Sequence, residues 1–193
     1  MKHLSLFSVL LLAVIFSASA QQPEVNRPQT SANVGMAPIQ QGNWIVGGSL
    51  GSLGYSFEGE SFNINLNPRA GYFVSDGLAV GLGANVGLAT SPDADNVWTY
   101  GVAPFVRYYF GQGSSATGRF FGQGEVGIAG SSIGSGADLA FGIGAGYAHF
   151  ITQSVALEAM VGYNYSKATV ANANAQSGLG VSLGFQIYLP GQR

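Results

Sequence analysis

The chain contains no cysteine. This absence excludes a disulfide framework, a thiol nucleophile, a Cys-ligated zinc or iron–sulfur site and a lipid-modified N-terminal cysteine. Charge is also scarce, because only 8% of the 193 residues are charged, against roughly 25% in ordinary soluble domains. No run of Lys or Arg occurs, so we expect no nucleic-acid partner. A soluble protein this poor in charge would be hard to keep dispersed, so we expect much of the surface to face something other than water.

Long apolar runs are missing as well, apart from one of about 13 residues at positions 4–16. That run is too short for a spanning helix, which needs roughly 20 residues. It follows Lys2 and precedes the small residues Ala18-Ser19-Ala20, the arrangement of a secretory signal peptide. We predict cleavage after Ala20. Residues 21–41 are polar, contain three prolines and lack periodicity, so we predict a flexible polar leader before a domain at 42–190.

Glycine is abundant, with 30 residues, and much of it alternates with bulky apolar side chains. In 78–88, LAVGLGANVGL, the Leu and Val side chains fall on one face and Gly and Asn on the other, which is the period of a β-strand. The same pattern predicts eight strands, each long enough to cross a bilayer when tilted. They cover residues 43–55, 62–74, 78–88, 98–110, 120–130, 139–151, 155–165 and 179–189.

The connections indicate an up-and-down antiparallel order. Asp76-Gly77 and Thr152-Gln153 are tight, whereas 91–96, 131–136 and 167–177 are longer and polar, an alternation typical of such barrels. Segment 111–118 departs from this alternation because it is longer than a tight turn. Pro68 and Pro104 fall on outward positions of central strands, which predicts a bulge or a local break in the ladder.

Two barrel architectures fit eight such strands. A soluble lipocalin-like carrier would place the bulky apolar faces inside, where they would overfill an eight-stranded lumen, and would expose glycine with almost no charge. An outer-membrane barrel places those faces against lipid and the small residues inside. The aromatic residues cluster toward both ends of the strands, which is typical of interfacial girdles. The pattern therefore favours the membrane barrel.

Several segments carry a family resemblance: Ala18-Ser19-Ala20, Asn67-Pro68-Arg69-Ala70-Gly71-Tyr72-Phe73, Ala103-Pro104-Phe105-Val106-Arg107-Tyr108-Tyr109-Phe110 and the closing strand 179–189. On these, residues 42–190 resemble the small eight-stranded, OmpA/OmpX-like porin-family barrels of Gram-negative bacteria. The resemblance implies an all-β transmembrane barrel in the cell outer membrane, in contact with outer-membrane lipid and lipopolysaccharide. One departure is the end, Leu189-Pro190-Gly191-Gln192-Arg193, where many such proteins finish on an aromatic residue. No peptidoglycan-binding role is expected.

Four charged residues fall on inward positions: Arg69, Arg107, Glu125 and Glu158. We expect them at similar depth and paired, because an isolated buried charge is very costly. One interpretation is a salt-bridged plug that fills the lumen; the other, suggested by the resemblance, is a gate whose pairs exchange partners to pass ions. The amides expected to complete this polar network are Asn63, Asn65, Asn67, Asn85, Gln123, Asn164 and Gln186.

Catalysis and metal binding have little support in the sequence. Beyond the predicted signal peptide the single histidine is His149, expected to face outward at the tight-turn end. Some small barrels that the chain resembles are lipid A-modifying enzymes with a His–Ser pair at the outer rim, which is the opposite end from His149. Asp93 and Asp95 lack the glycine and the distal Glu of an EF-hand loop. We therefore expect no enzyme activity, no metal and no cofactor.

The expected function is a non-enzymatic, monomeric outer-membrane barrel with a structural or surface-interaction role, able to contact a surface ligand through its long loops. The interior is expected to be too filled for a solute wider than water or an ion. Two alternatives stay open. One is a narrow solute or ion channel gated by the Arg–Glu network, and the other is the soluble lipocalin-like carrier.

Overall fold

The computed structural model describes residues 37–92, 94–111, 117–133, 136–168 and 175–191. A short 3-10 helix, Ala37–Ile39, precedes eight strands, so the predicted strand count is confirmed. The strands are β1 Trp44–Ser56, β2 Ser61–Ser75, β3 Leu78–Ser91, β4 Ala94–Tyr109, β5 Gly118–Ser131, β6 Asp138–Phe150, β7 Val155–Ala168 and β8 Ala175–Leu189. No helix among these residues has the length and apolar character needed to cross a membrane.

Each strand pairs antiparallel with the next in the chain, and β1 pairs with β8, which closes the barrel. The up-and-down topology is therefore confirmed. Trp44 of β1 lies opposite Leu189 of β8, so both termini of the barrel lie at one end. We call this the terminal end, and the opposite end the far end.

The orientation of the strand faces is also as predicted. The bulky residues point outward, for example Leu82 at 59% and Val181 at 63% exposure, while Phe105 and Arg107 are buried in the lumen. On the inward face a Cβ at Gly81 would meet the Ala70 carbonyl and lie 2.8 Å from Cζ of Phe105. Glycine thus lets two strands and a ring approach closely. This arrangement is the opposite of the lipocalin-like alternative, which places water-loving side chains on the outer face.

The ladder shifts register at three places, of which the shift in β1 affects the faces most. The pairing of β1 with β2 shifts after Leu50, and Gly51 is the extra residue. This β-bulge keeps Leu53 and Tyr55 on the outer face, since without it the alternation would turn them inward.

The two outward prolines interrupt pairing without changing register. The β2–β3 ladder skips Asn67 and Pro68, and the β4–β5 ladder skips Ala103 and Pro104, before each resumes. Because proline has no N–H to donate, β2 loses a ladder hydrogen bond to β3, and β4 loses one to β5. Of the two predicted outcomes, the structure has the local break.

The predicted alternation of short turns and long loops holds only in part, and the long segment 111–118 departs from it as predicted. At the far end, Ser91 pairs with Ala94, so the connection between β3 and β4 is shorter than the predicted loop 91–96. The other far-end connections cover residues 57–60, 132–137 and 169–174, whereas the longest connection, 110–117, is at the terminal end. Polar residues continue a strand when a neighbouring strand pairs with them, so polarity alone overestimated this loop. Residues 93, 112–116, 134–135 and 169–174 lie outside the described chain.

The end of the predicted flexible leader is packed against the barrel. Pro38 and Ile39 are buried, and the Gly77 amide donates to the Ile39 carbonyl at 2.8 Å. The Asn43 side-chain amide donates to the Ala37 carbonyl at 2.8 Å. Residues 37–41 of the predicted leader therefore belong to the packed end of the barrel. The predicted signal peptide, its cleavage after Ala20 and residues 21–36 lie outside the described residues.

The closing seam between β1 and β8 is short. It pairs seven positions, from Trp44–Leu189 to Leu50–Leu183, whereas β6 and β7 pair over 13. Toward the far end, all residues of β1 after Leu50 and of β8 before Leu183 are described, and they do not pair with each other. We call this opening the seam gap.

Candidate functional site

The terminal end of the lumen is closed by an apolar layer. Inward residues of the strands meet Ile39 from the short helix in one buried cluster. Its members pack closely, with ring centroids 5.1 Å apart for Phe150 and Tyr188 and 5.7 Å for Tyr109 and Phe121. The cluster comprises Ile39, Ile45, Phe73, Ala79, Tyr109, Phe121, Ala148, Phe150, Ala156 and Tyr188.

A buried ion pair lies against this layer. Arg107 on β4 is fully buried, and its Nη1 donates to both carboxylate oxygens of Glu158 on β7, at 2.7 and 2.8 Å. Its guanidinium also lies 4.1 Å from the ring centroid of Phe121. Because the desolvation of two buried charges is costly, such a pair is stable only with good geometry and further hydrogen bonds.

Gln123 on β5 supplies those hydrogen bonds and connects the remaining charges. Its Oε1 accepts from Arg107 Nε at 2.9 Å and from Arg69 Nη1 at 2.7 Å. Its Nε2 donates to Glu125 Oε2 at 2.9 Å. The structure thus places all four predicted interior charges in one network, with a single direct ion pair among them and a glutamine carboxamide at its centre.

Two tyrosines join the network from the apolar layer. The hydroxyls of Tyr109 and Tyr188 lie 2.8 Å apart, Arg107 Nη1 donates to Tyr109 at 3.1 Å, and Tyr188 donates to Glu158 at 3.4 Å. Sequence reasoning gave neither hydroxyl a role and counted Tyr188 among the end aromatics. Tyr188 shares a strand face with the inward residues Gly184 and Gln186, because side chains two residues apart point the same way. The sequence alone could therefore have placed Tyr188 in the lumen.

Two further polar residues differ from expectation. Arg119 on β5 is buried and was not anticipated; its Nη1 donates to the Gly118 carbonyl at 2.7 Å. Gln186 was expected in the network, yet its buried side-chain amide makes no hydrogen bond with the described residues. It lies beside Gly47, where glycine provides the room that the side chain occupies.

Above the network the lumen opens into a cavity of about 600 Å³. Small residues and asparagines recur in its lining, together with apolar residues such as Phe105 and Met160. The Asn85 Nδ2 donates to Asn65 at 3.1 Å and to Asn67 at 2.9 Å. Arg69 and Glu125 belong to the cavity lining and lie at its floor. The predicted filled lumen therefore holds only for the terminal half, because the inward positions of the far half are mostly too small to fill it. Asn164 lines the cavity, and Asn63 is exposed.

The residues considered for catalysis or metal binding do not assemble into a site. The His149 ring stacks on Tyr147 with centroids 6.4 Å apart, on the outer face. Asp95 is exposed on β4, and Asp93 lies outside the described residues. Within the described ranges no group of three or more His, Asp or Glu residues is placed to hold a metal ion.

A closed eight-stranded barrel with bulky apolar side chains outside and small or polar ones inside defines the class of membrane-spanning up-and-down β-barrels. Solved structures of this class are similar to the chain. Neisserial surface protein A superposes with a TM-score of 0.56 at 18% identity, over 76% of this chain and 97% of that one. OprG, an outer membrane protein of Pseudomonas aeruginosa, superposes with a TM-score of 0.51 at 10% identity. The match covers 78% of this chain and 97% of OprG.

A third structure, the outer membrane enzyme PagL, gives a TM-score of 0.45 at 14% identity, over 74% of this chain and 98% of that one. No protein-family model and no curated protein matches the sequence. The protein has the fold of the small eight-stranded outer-membrane barrels, as the sequence resemblance implied.

Proposed function

We propose that the protein is a monomeric, non-enzymatic barrel of the outer membrane that does not conduct, and that its role in the envelope is structural. The outer surface supports the membrane placement. Tyr108 and Trp98 on β4 are both exposed, near opposite ends of an apolar face. At about 3.3 Å per residue and a tilt of about 40°, the stretch between them spans about 25 Å, the height of the apolar band in such barrels.

The closed terminal end is the observation that carries the proposed lack of conductance. An ion leaving the cavity would have to pass both the Arg107–Glu158 pair and the apolar layer beneath it. The gated-channel alternative needs only an exchange of charged partners. In this barrel such an exchange would leave the rings of Phe73, Phe121 and Phe150 in place. The charge network is therefore better suited to holding the strands together than to gating.

The proposed partners are outer-membrane lipid and lipopolysaccharide, which would meet the apolar belt and its aromatic ends. Interaction with a surface ligand through long loops has weaker support, since the far-end connections are short. A ligand at that surface would contact the β5–β6 and β7–β8 connections, which are the longest there. The non-enzymatic role is supported by the outward position of His149.

Fractionation and conductance test this function. We expect the chain in the outer-membrane fraction, with heat-dependent mobility on a denaturing gel; a detergent-free, water-soluble monomer would contradict the membrane placement. In planar bilayers we expect no channels from the refolded wild type or from Glu158→Ala and Glu125→Ala, because the apolar layer stays. Replacing Phe73 and Phe121 by alanine in the Glu158→Ala background opens the apolar layer as well as the ion pair and should introduce conductance. Phe141→Ala on the outer face, in the same background, is the control. A conducting wild type with larger currents in Glu158→Ala would favour the gated channel.

A further inference from the structure

The floor of the far-end cavity carries one cation and one anion that do not pair with each other. Arg69 donates to Gln123 at 2.7 Å and more weakly to Ser49 at 3.4 Å. Glu125 accepts from Gln123 at 2.9 Å. In the described chain the one ion pair is the deeper Arg107–Glu158 bridge, so neither floor charge has an ionic partner.

The Gln123 carboxamide holds these two charges in a fixed order. Its oxygen faces the guanidinium of Arg69 and its nitrogen faces the carboxylate of Glu125. Both charged groups are only partly exposed and line the cavity. A partly desolvated charge is stabilised by an opposite charge in contact with it. An occupant that carries one charge of each sign would therefore give both Arg69 and Glu125 an ionic partner.

We propose that the cavity floor binds a small zwitterion that carries a carboxylate and a protonated amine, with the carboxylate against Arg69 and the amine against Glu125. The four charges of the network sum to zero, so a ligand with net charge would introduce an uncompensated charge into the confined lumen. An uncharged polyol would leave both floor charges without a partner. The cavity of about 600 Å³ lies within the usual range of small-molecule sites, about 300–1,000 Å³. This site goes beyond the structural role and does not depend on conductance.

Isothermal titration of the full-length barrel in an uncharged detergent tests the proposal. L-alanine is the zwitterionic probe, propionate lacks its amine, ethylamine lacks its carboxylate, and glycerol is the neutral probe. We expect saturable one-to-one binding of L-alanine that is about tenfold or more tighter than that of the other three, since hydrogen bonds to charged groups discriminate by about 10- to 100-fold.

Variants identify which charge holds which end of the probe. Arg69→Gln and Glu125→Gln should each weaken L-alanine binding about tenfold or more. Glu125→Gln should leave propionate binding unchanged or tighter, and Arg69→Gln should do the same for ethylamine. Glu58→Gln, in the exposed β1–β2 turn, should have no effect, and heat-dependent gel mobility shows that each variant is folded. Absence of saturable L-alanine binding, glycerol binding of equal strength, or unchanged binding in both floor variants would overturn the proposal.

Discussion

Removing the Glu158 carboxylate should destabilise the barrel more than most single substitutions. Its partner Arg107 is 0% exposed and places one nitrogen against both carboxylate oxygens. In Glu158→Ala that guanidinium keeps its charge and its burial but loses its counter-ion. Breaking a buried ion pair from one side costs about 3–5 kcal/mol. Glu158→Gln keeps an acceptor oxygen of similar shape, so the expected loss is smaller, about 1.5–3 kcal/mol.

A double variant, Arg107→Met/Glu158→Leu, distinguishes the cost of an unpaired buried charge from the cost of altered packing. In Arg107→Met/Glu158→Leu no charge is left uncompensated, and the new side chains can pack against Phe121. Replacing both members of a buried pair by apolar residues is often near neutral. We therefore expect the double variant to lose less stability than Glu158→Ala alone, although Gln123 loses a donor.

The assay is reversible unfolding in lipid vesicles with increasing denaturant, followed by gel mobility and by the fluorescence of Trp44 and Trp98. The free energy of unfolding is compared across wild type, Glu158→Ala and Glu158→Gln. The same comparison includes the double variant and its two component single variants, Arg107→Met and Glu158→Leu. A loss below about 1 kcal/mol in Glu158→Ala would refute the costly buried charge. Fully additive losses in Arg107→Met and Glu158→Leu would equally refute the coupling, because independent sites add.

Three other substitutions are measured by the same unfolding assay. They test the apolar outer belt, the close packing of β3 inside the barrel, and the closure of the terminal end. Leu82→Arg, near the middle of the apolar belt, should cost about 2–4 kcal/mol, while Phe57→Arg in the exposed turn should cost less than about 1 kcal/mol. Gly81→Ala should cost about 1–3 kcal/mol through overpacking against β2 and Phe105, whereas Gly124→Ala, with open space around it, should be neutral. Ile39→Ala should cost about 2–5 kcal/mol if the short helix closes the terminal end, and an unchanged stability would contradict that closure.

Much of the fold follows from alternation alone. A strand turns every second side chain to the same face, so counting from one bulky residue was enough to place Arg107 and Glu158 inside and Leu82 outside. The scarcity of charge then decided which face meets lipid. The same counting turns Tyr188 inward, where it completes the apolar layer.

The remainder depends on contacts across strands. Gln123 carries no charge, and its position between two arginines appears only when the inward faces of β2, β4 and β5 meet in the closed lumen. Ile39 closes the lumen because the chain turns back into the barrel mouth before β1, in a segment with no periodicity. The cavity exists because small inward residues from several strands lie at the same height in the barrel. Their relative heights depend on the pairing register between strands, which the sequence of one strand does not reveal.

The seam gap has a consequence for the contents of the barrel. Residues of both faces of β8, from Gln176 to Ser182, line the cavity, together with Gly51 and Ser52 of β1. In a bilayer, backbone N–H and C=O groups lacking a neighbouring strand are tolerated where they are buried in protein or border a water-filled space. The unpaired stretch of β8 borders the cavity, so water in the far half of the lumen would satisfy it, and the cavity has a side opening as well as an upper mouth. A polar solute could then reach Arg69 and Glu125 from the lipid headgroup layer, because lipid rather than protein lines the barrel at the seam gap.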